Sequence, residues 1–265
     1  MHAIPTVIIT GASRGIGEQV AYQAAQKGFA LILGARHIDR LETIACRCKK
    51  LGASQVVIEY LDLLDADSID HFIERALDVT PAIDVLVNNA GVGDLSPFTS
   101  MNLVQGIKMM KVNTLGTMYL TQKIAIQMIN QRKGKIITVA SLAGKVPSPN
   151  MAFYGASKAA LISFQNSIRI ELKPYNIQVT TINTGPVKTE FFDAFDPERN
   201  YLKTMDLFAL TPEQVAHKII DSIEKNYREI NIPRSLGTLA HFTTLFPHVT
   251  DWIYSYLIHF RTTQN

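Results

Sequence analysis

A short apolar run that ends in a glycine-rich turn constrains the fold more than any other stretch of this chain. Residues 6–10, Thr-Val-Ile-Ile-Thr, are apolar at three consecutive positions, as expected of a strand buried on both faces of a parallel sheet. The run leads directly into Gly11-Ala-Ser-Arg-Gly-Ile-Gly17, and a helical pattern follows over residues 18–27. A strand, a glycine turn and a helix in this order predict the start of a βαβ unit.

The same alternation continues to about residue 232. Further strands are predicted at residues 29–33, 55–61, 83–87, 136–139, 177–182 and 229–232, with helical patterns between them. Thr211-Pro-Glu-Gln214 predicts a helix start, because it offers a capping Thr, a first-turn Pro and a Gln three residues after the Thr. Residues 101–132 predict two helices, continuous or kinked near Gly116. Together these patterns predict one α/β domain over residues 1–265, a Rossmann-like doubly wound parallel sheet of about seven strands flanked by helices.

Composition argues against several classes of protein. Hydrophobic residues make up 47% and charged residues 18%, and the formal net charge is +3 without a dense Lys/Arg block, so no nucleic-acid partner is expected. No apolar run reaches the ~18 residues that a membrane span needs, and the N-terminus lacks the pattern of a signal peptide. Cys46 and Cys48 predict reduced thiols and a cytoplasmic location. The scattered His residues predict no metal site.

The glycine turn is a candidate phosphate site. Glycines at 11, 15 and 17 permit a tight turn and let a pyrophosphate approach the N-terminus of the following helix, where unpaired N–H groups favour an anion. The spacing is G-x-x-x-G-x-G, which differs from the usual dinucleotide fingerprint G-x-G-x-x-G. A glycine cluster alone is more often only a turn. Its position between a buried strand and a helix favours phosphate binding.

The end of the second strand predicts which dinucleotide binds. An acidic residue there would hold the ribose 2′-hydroxyl of NAD, but the chain has Gly34-Ala-Arg36 at this place. Arg14 in the glycine turn is a second guanidinium, and Arg binds phosphate through a bidentate fork. Both arginines are alternatively solvated surface charges. The missing acid and the two cations favour NADP(H), with Asp62 placed to touch the adenine.

Tyr154 and Lys158 are a candidate proton donor and its partner. Four residues apart on a helix, they lie on one face with Cβ atoms about 5–6 Å apart. A neighbouring cation lowers the pKa of a phenol from its usual value near ~10. Such a pair is commonly just an exposed helix face, so its interpretation depends on the motifs around it.

Five motifs in order and spacing resemble the short-chain dehydrogenase/reductase family, and the resemblance runs from Thr6 to about Ile232. Each motif alone is weak, but the set is highly specific. The motifs are Thr10-Gly-Ala-Ser-Arg-Gly-Ile-Gly17, Asn88-Asn-Ala-Gly91, Asn113, Ser141 and Tyr154-x-x-x-Lys158.

The resemblance implies a role for each of four side chains in an NADP(H)-dependent interconversion of a carbonyl and an alcohol. Tyr154 is then the general acid in reduction and the base in oxidation. Lys158 lowers the pKa of the phenol and holds the nicotinamide ribose. Ser141 hydrogen-bonds the substrate oxygen, and Asn113 supports a water that relays protons to Lys158.

The resemblance also implies a set of cofactor-binding residues around the glycine turn and the strand ends. They are Gly11, Ser13, Arg14, Gly15, Ile16, Gly17, Arg36, Asp62, Leu63, Asn89, Ala90, Gly91, Tyr154, Lys158, Val187 and Thr189. The chain departs from the family after the sixth strand. The usual Pro-Gly would fall at Thr184-Gly185, and here the Pro is one place later, at Pro186.

An apolar substrate is predicted from the segment 190–210, which would be a lid in this family. Its apolar side chains are alternatively only packing residues that fix the lid to the body. The residues in question are Phe191, Phe192, Phe195, Met205, Leu207 and Phe208, with Leu142, Val146 and Phe153 flanking the catalytic set.

The C-terminal extension, residues 235–265, predicts helices with one apolar stripe. Burial of the stripe against the sheet or a partner subunit is expected, and a membrane-surface role for 249–260 is a weaker alternative because few cations flank it. The family resemblance implies a homodimer or homotetramer joined through residues 101–132 and 151–172.

Two other functions fit parts of the pattern. A catalytically silent NADP-binding redox sensor or scaffold has no need of the complete set Asn113, Ser141, Tyr154 and Lys158. A sugar epimerase or dehydratase on the same fold would want G-x-x-G-x-x-G in the first turn and a longer C-terminal domain. An oxidoreductase is therefore the favoured function.

Overall fold

A seven-stranded parallel sheet forms the centre of the chain in the computed structural model, which describes residues 4–80, 82–191 and 206–252. The sheet order is β3-β2-β1-β4-β5-β6-β7, and every neighbouring pair is parallel, which confirms the predicted fold. The strands are β1 Thr6–Thr10, β2 Ala30–Ala35, β3 Gln55–Tyr60, β4 Val85–Asn88, β5 Gly134–Ser141, β6 Ile177–Thr184 and β7 Glu229–Ile232.

Helices cover both faces of the sheet because consecutive strand residues point to opposite sides. Val7 and Ile9 of β1 belong to one buried cluster, and Ile8 between them belongs to the other. The helices are α1 Gly15–Gln26, α2 Ile38–Leu51, α3 Ala66–Val79, α4 Leu103–Met109, α5 Thr117–Gln131, α6 Ala152–Glu171, α7 Pro212–Glu224 and α8 Arg234–Leu245. None of the helices in the described part of the chain is long and apolar enough to cross a membrane.

The predicted start of α7 is confirmed by a complete capping box. The Thr211 hydroxyl accepts a hydrogen bond from the Gln214 N–H at 3.3 Å, and the Gln214 side chain accepts one from the Thr211 N–H at 2.9 Å. Two N–H groups that an isolated helix end would leave unpaired are thereby satisfied.

The predicted kink near Gly116 is a π-helical segment, Met110–Gly116, between α4 and α5. Gly116 lies against the Leu63 carbonyl so closely that a Cβ would overlap it. Single π turns within helices recur at functional sites. This one carries Asn113, which is completely buried.

The C-terminal stripe was expected to be buried against the sheet or a partner subunit, and the part that the structure describes does not pack on the sheet, so burial against a partner stays a prediction. Residues 247–252 are helical after α8, but Val249 and Trp252 are exposed. Ile253, Tyr256, Leu257 and Phe260 lie outside the described residues. Apolar spacing alone predicted a buried face, whereas burial depends on which element the helix meets.

A buried lysine fixes the end of α7 to the sheet. The Lys135 ammonium at the start of β5 donates to the carbonyl oxygens of Ser222 at 2.8 Å, Ile223 at 3.0 Å and Lys225 at 3.0 Å. Burial lowers the pKa of Lys135 to about 8. The last carbonyls of a helix have no partners within it and carry its negative dipole end, so the ammonium satisfies them and complements the dipole.

Lys135→Met is expected to lower the free energy of unfolding by about 2–4 kcal/mol, because it leaves buried carbonyls without donors. Urea unfolding followed by circular dichroism measures the change. Lys133→Met is the matched control, since Lys133 is exposed and pairs with Asp84 at 2.9 Å, and it should cost less than about 1 kcal/mol. Equal losses in the two variants would contradict the capping role.

Candidate active site

The glycine turn adopts a backbone that requires glycine. Gly11 and Gly15 have φ angles of 64° and 59°, in the left-handed region that side chains disfavour. A Cβ on Gly17 would overlap the Gly11 carbonyl and lie 2.6 Å from the Asn89 amide nitrogen. The turn therefore packs close to β4 and presents the N-terminus of α1 at the end of β1.

Thr10 and Asn89 hold the ends of β1 and β4 together beneath this turn. The Thr10 hydroxyl accepts hydrogen bonds from the N–H groups of Asn89 and Ala90, both at 3.0 Å. The Asn89 amide donates to the carbonyls of Thr10 at 3.0 Å and Gly11 at 3.2 Å. The strand order changes direction between β1 and β4, which is where ligands bind in such sheets.

A first cavity, of about 190 Å³, opens at these strand ends and is called the cofactor cavity below. All of the predicted cofactor-binding residues except Gly17 line it, and Gly17 lies behind the turn. Further lining residues were not predicted, among them His37, Thr184, Gly185 and Phe191. His37 directly follows Arg36, so its position after β2 was a usable signal. Thr184 ends β6, and Gly185 and Phe191 follow it, where the shifted Pro obscured the family pattern.

The cofactor cavity fits a dinucleotide by its chemistry. The glycine turn offers backbone close to a helix N-terminus, and its tight packing needs glycine, because a Cβ on Gly11 would overlap Ala90 and one on Gly17 would overlap the Gly11 carbonyl. Arg14 and Arg36 line the cavity with largely solvent-accessible cations. Backbone amides and guanidinium groups together form a suitable donor set for phosphates.

A second cavity, of about 150 Å³, adjoins the first and is called the substrate cavity below. Tyr154 lines both cavities, and Ser141 lines the second. Its walls are largely apolar, and Asp94 is the one charged side chain among the described lining residues. Leu236 and Leu239 of α8 also line it, a contribution that the sequence analysis missed because these residues follow the last strand.

The predicted lid and flanking residues separate into three groups. Leu142, Val146 and Phe191 line the substrate cavity as expected. Phe153 does not, since it packs on Gly106 of α4. Phe208 is half-buried, and the side chains of Phe192, Phe195, Met205 and Leu207 lie outside the described residues.

Tyr154 and Lys158 lie together on α6 as predicted, and both line the cofactor cavity. The Lys158 ammonium is 5.9 Å from the centre of the Tyr154 ring and donates to the Val139 carbonyl at 3.2 Å. That bond fixes a buried cation beside the phenol.

The pKa of the phenol departs from the expectation. Burial raises the pKa of Tyr154 to about 12, partly opposed by a hydrogen bond with Ser141. Burial also lowers the pKa of Lys158 to about 8. A cation beside a phenol lowers its pKa, whereas withdrawing the phenolate from water raises it, and the second effect dominates in the protein alone.

Asn113 supports the backbone next to the cofactor cavity and lines neither cavity. Its side-chain oxygen accepts from the Val92 N–H at 2.8 Å. Its amide donates to the Val92 carbonyl at 2.8 Å and to the Ser157 hydroxyl at 3.0 Å. A Cβ on Gly91 would lie 3.2 Å from the Asn113 oxygen and 3.5 Å from the Lys158 ammonium, so both groups lie against Gly91.

Ser141 ends β5, lines the substrate cavity and is hydrogen-bonded to Tyr154. The hydroxyl accepts from the Ala143 N–H at 3.1 Å and lies 3.4 Å from the Thr184 carbonyl, to which it donates. These bonds fix its position at the entrance to the following 3-10 turn.

Known proteins are similar in sequence to this chain over most of its length. The family model described as short chain dehydrogenase matches residues 5–200. An "11-beta-hydroxysteroid dehydrogenase" of Pinus massoniana is 34% identical over 271 residues, which cover 97% of this chain and 75% of that protein.

Two solved structures have the same fold. A short-chain type dehydrogenase/reductase from Mycobacterium marinum has a TM-score of 0.79 and 26% identity, with 86% of this chain and 93% of that chain covered. An alcohol dehydrogenase from Thermococcus sibiricus, complexed with 5-hydroxy-NADP, has a TM-score of 0.77 and 26% identity, with 86% and 96% covered. The chain belongs to the short-chain dehydrogenase/reductase family of nicotinamide-dependent oxidoreductases.

Proposed function

We propose that the protein interconverts a carbonyl and an alcohol on an apolar small molecule with NADP(H), and that Tyr154 is the general acid and base. The observation that carries the proposal is the position of Tyr154, which lines both the cofactor cavity and the substrate cavity. A proton donor must lie within reach of the oxygen that it protonates, and this junction is where such an oxygen would meet the cofactor.

The proposed roles follow from the contacts of each side chain. A bound nicotinamide cofactor supplies or accepts the hydride. The Tyr154 phenol donates its proton to the carbonyl oxygen in reduction and takes it back in oxidation. Ser141 holds the same oxygen by a hydrogen bond. Lys158, with a pKa of about 8, is mostly charged at neutral pH and favours the phenolate.

Asn113 acts as a positioning residue in this scheme. Its bonds to Val92 and Ser157 fix the backbone beside Gly91 and the first turns of α6. A water that Asn113 supports and that relays protons to Lys158 stays a prediction.

The walls of the substrate cavity support an apolar substrate. Leu142, Val146 and Met151 of the body line this cavity together with Leu236 and Leu239 of α8, and Tyr154 lines the same cavity. The relative named as a hydroxysteroid dehydrogenase makes steroid-like alcohols a class to test first. Turnover of a panel of aldehydes, ketones and steroids, measured as consumption of NADPH, tests this choice. Turnover of small polar ketones alone would contradict it.

The cofactor preference is proposed from Arg14 and Arg36. Both line the cofactor cavity, and a 2′-phosphate binds guanidinium groups through charge-assisted hydrogen bonds of about 1.5–3 kcal/mol.

We expect kcat/KM with NADPH to exceed that with NADH, and Arg36→Ala to reduce the ratio by about tenfold, which corresponds to about 1.4 kcal/mol. Steady-state kinetics with both cofactors measures the ratio. Arg75→Ala is the control, because Arg75 lies on α3, pairs with Asp78 at 3.1 Å and lines neither cavity. A preference for NADH in the unmodified protein would refute the assignment.

A homodimer or homotetramer and a cytoplasmic location stay predictions. Exposed apolar side chains on the helices between residues 103 and 126 support an oligomer joined there, since such patches commonly mark protein interfaces. They are Leu103, Val104, Ile107, Leu115 and Ile126, with Ile170 on α6.

A further inference from the structure

The three residues 189–191 connect the two cavities. Thr189 packs its methyl group on the glycine turn, where a Cβ on Gly15 would lie 3.2 Å from it. Phe191 lines both cavities and its ring centre is 6.0 Å from that of Tyr154. The Phe191 N–H donates to the Thr189 hydroxyl at 3.2 Å, which makes this a defined turn. Glu190 lies between them in the chain and faces Arg14 of the cofactor cavity.

The Glu190 carboxylate faces two guanidinium groups with a single oxygen. Its Oε2 lies 3.0 Å from Arg40 Nη1 and 3.8 Å from Arg14 Nη1. Arg40 is in the first turn of α2, and Arg14 directly precedes α1. The carboxylate thus lies between two cations, one of which, Arg14, lines the cofactor cavity.

We propose that Glu190 opposes binding of a 2′-phosphate and so sets how tightly, and how selectively, this protein holds NADP(H). The inference rests on the proposed preference for NADP(H). A phosphate that binds Arg14 must replace the Glu190 carboxylate as the partner of that guanidinium. The carboxylate also repels the phosphate. Arg40 moderates this opposition because it binds Glu190 more closely than Arg14 does.

The exposure of Glu190, Arg14 and Arg40 to solvent limits how much Glu190 can change the affinity for a 2′-phosphate. About half of each of the three side chains is solvent-accessible, so each ion pair is weak and screened by salt. Removing the charge should tighten binding of a 2′-phosphate by about three- to tenfold, corresponding to about 1 kcal/mol. A cofactor without that phosphate should bind as before.

The first experiment compares Glu190→Gln with the unmodified full chain. Calorimetry with 2′,5′-ADP and with 5′-AMP isolates the phosphate from the rest of the cofactor, and NADPH and NADH serve as second probes. We expect tighter binding of 2′,5′-ADP and NADPH only, with the gain shrinking as salt rises from about 50 mM to about 500 mM. Glu42 is an exposed carboxylate on α2, and Glu42→Gln is the control, which should leave the affinities for all four probes unchanged.

The second experiment tests whether Arg40 acts through Glu190. Arg40→Gln should weaken binding of 2′,5′-ADP, because Glu190 then pairs with Arg14 alone. The same change in the Glu190→Gln background should have almost no effect. An equal loss in both backgrounds would mean that Arg40 contacts the phosphate itself, which would overturn the proposed role of Arg40.

The outcomes separate this inference from the proposed function. If the unmodified protein binds 2′,5′-ADP no better than 5′-AMP, the preference for NADP(H) fails. If it discriminates and Glu190→Gln leaves both affinities unchanged, the role of Glu190 fails alone. Weaker binding of 5′-AMP and NADH by Glu190→Gln would identify the carboxylate as an acceptor for ribose hydroxyls and would also overturn the proposal.

Discussion

Tyr154→Phe should lower kcat for carbonyl reduction about a thousandfold and leave the Kd for NADPH nearly unchanged. The substitution removes one oxygen and keeps the ring that lines both cavities. Proton transfer by a positioned side chain contributes typically about 10²- to 10⁴-fold, so its loss should appear in kcat. Single-turnover oxidation of NADPH with the best substrate of the panel measures the rate, and fluorescence titration measures the Kd.

Removal of a tyrosine hydroxyl outside the two cavities is the control for a general loss of stability. The Tyr119 hydroxyl bonds to Asp70 at 2.9 Å and lies outside both cavities, so Tyr119→Phe should change kcat less than about twofold. If Tyr154→Phe retained more than a tenth of the activity, another group would be supplying the proton. If no carbonyl were turned over by the unmodified protein, the silent NADP-binding alternative would gain support.

Lys158→Met should reduce kcat for alcohol oxidation by about 10²- to 10³-fold at neutral pH. Oxidation needs the phenolate, and burial raises the pKa of Tyr154 to about 12. Lys158 is charged below its own pKa of about 8 and favours the phenolate there, so its removal leaves less phenolate at neutral pH. Rates of the two proteins measured from neutral to alkaline pH, with the Kd for NADP measured beside them, test this role, and the difference in rate should shrink above about pH 8.

The dependence of stability on pH tests the burial of Lys158 independently of the reaction rate. Burial lowers the pKa of Lys158 to about 8 from its ordinary value of 10.5, so the unfolded chain binds more protons between these pH values. Stability of the unmodified protein should therefore rise with pH through this window relative to Lys158→Met. Lys173→Met, on an exposed turn after α6, should match the unmodified protein both in its stability profile against pH and in its rate of oxidation. Parallel stability profiles for the unmodified protein and Lys158→Met would contradict the burial of a charged Lys158.

The strand pattern and the glycine turn were predictable because they depend on local chemistry. A run of apolar residues such as 6–10 needs cover on both faces, and the turn that follows needs glycine for its backbone angles at Gly11 and Gly15. Strand ends were less predictable. β5 was predicted over residues 136–139 but spans Gly134–Ser141, because it pairs with β6 as far as Ser141 and Thr184. That pairing places Ser141 beside the junction of the cavities.

The sequence by itself determined the order of strands and helices, the glycine turn and the residue types that line the cofactor cavity, since periodicity, backbone freedom and charge act over a few residues. Only the tertiary structure decided that Leu236 and Leu239 wall the substrate cavity, that Glu190 lies between Arg14 and Arg40, and that the pKa of Tyr154 rises. These properties depend on groups far apart in the chain and on how much water their packing removes, which no local pattern records.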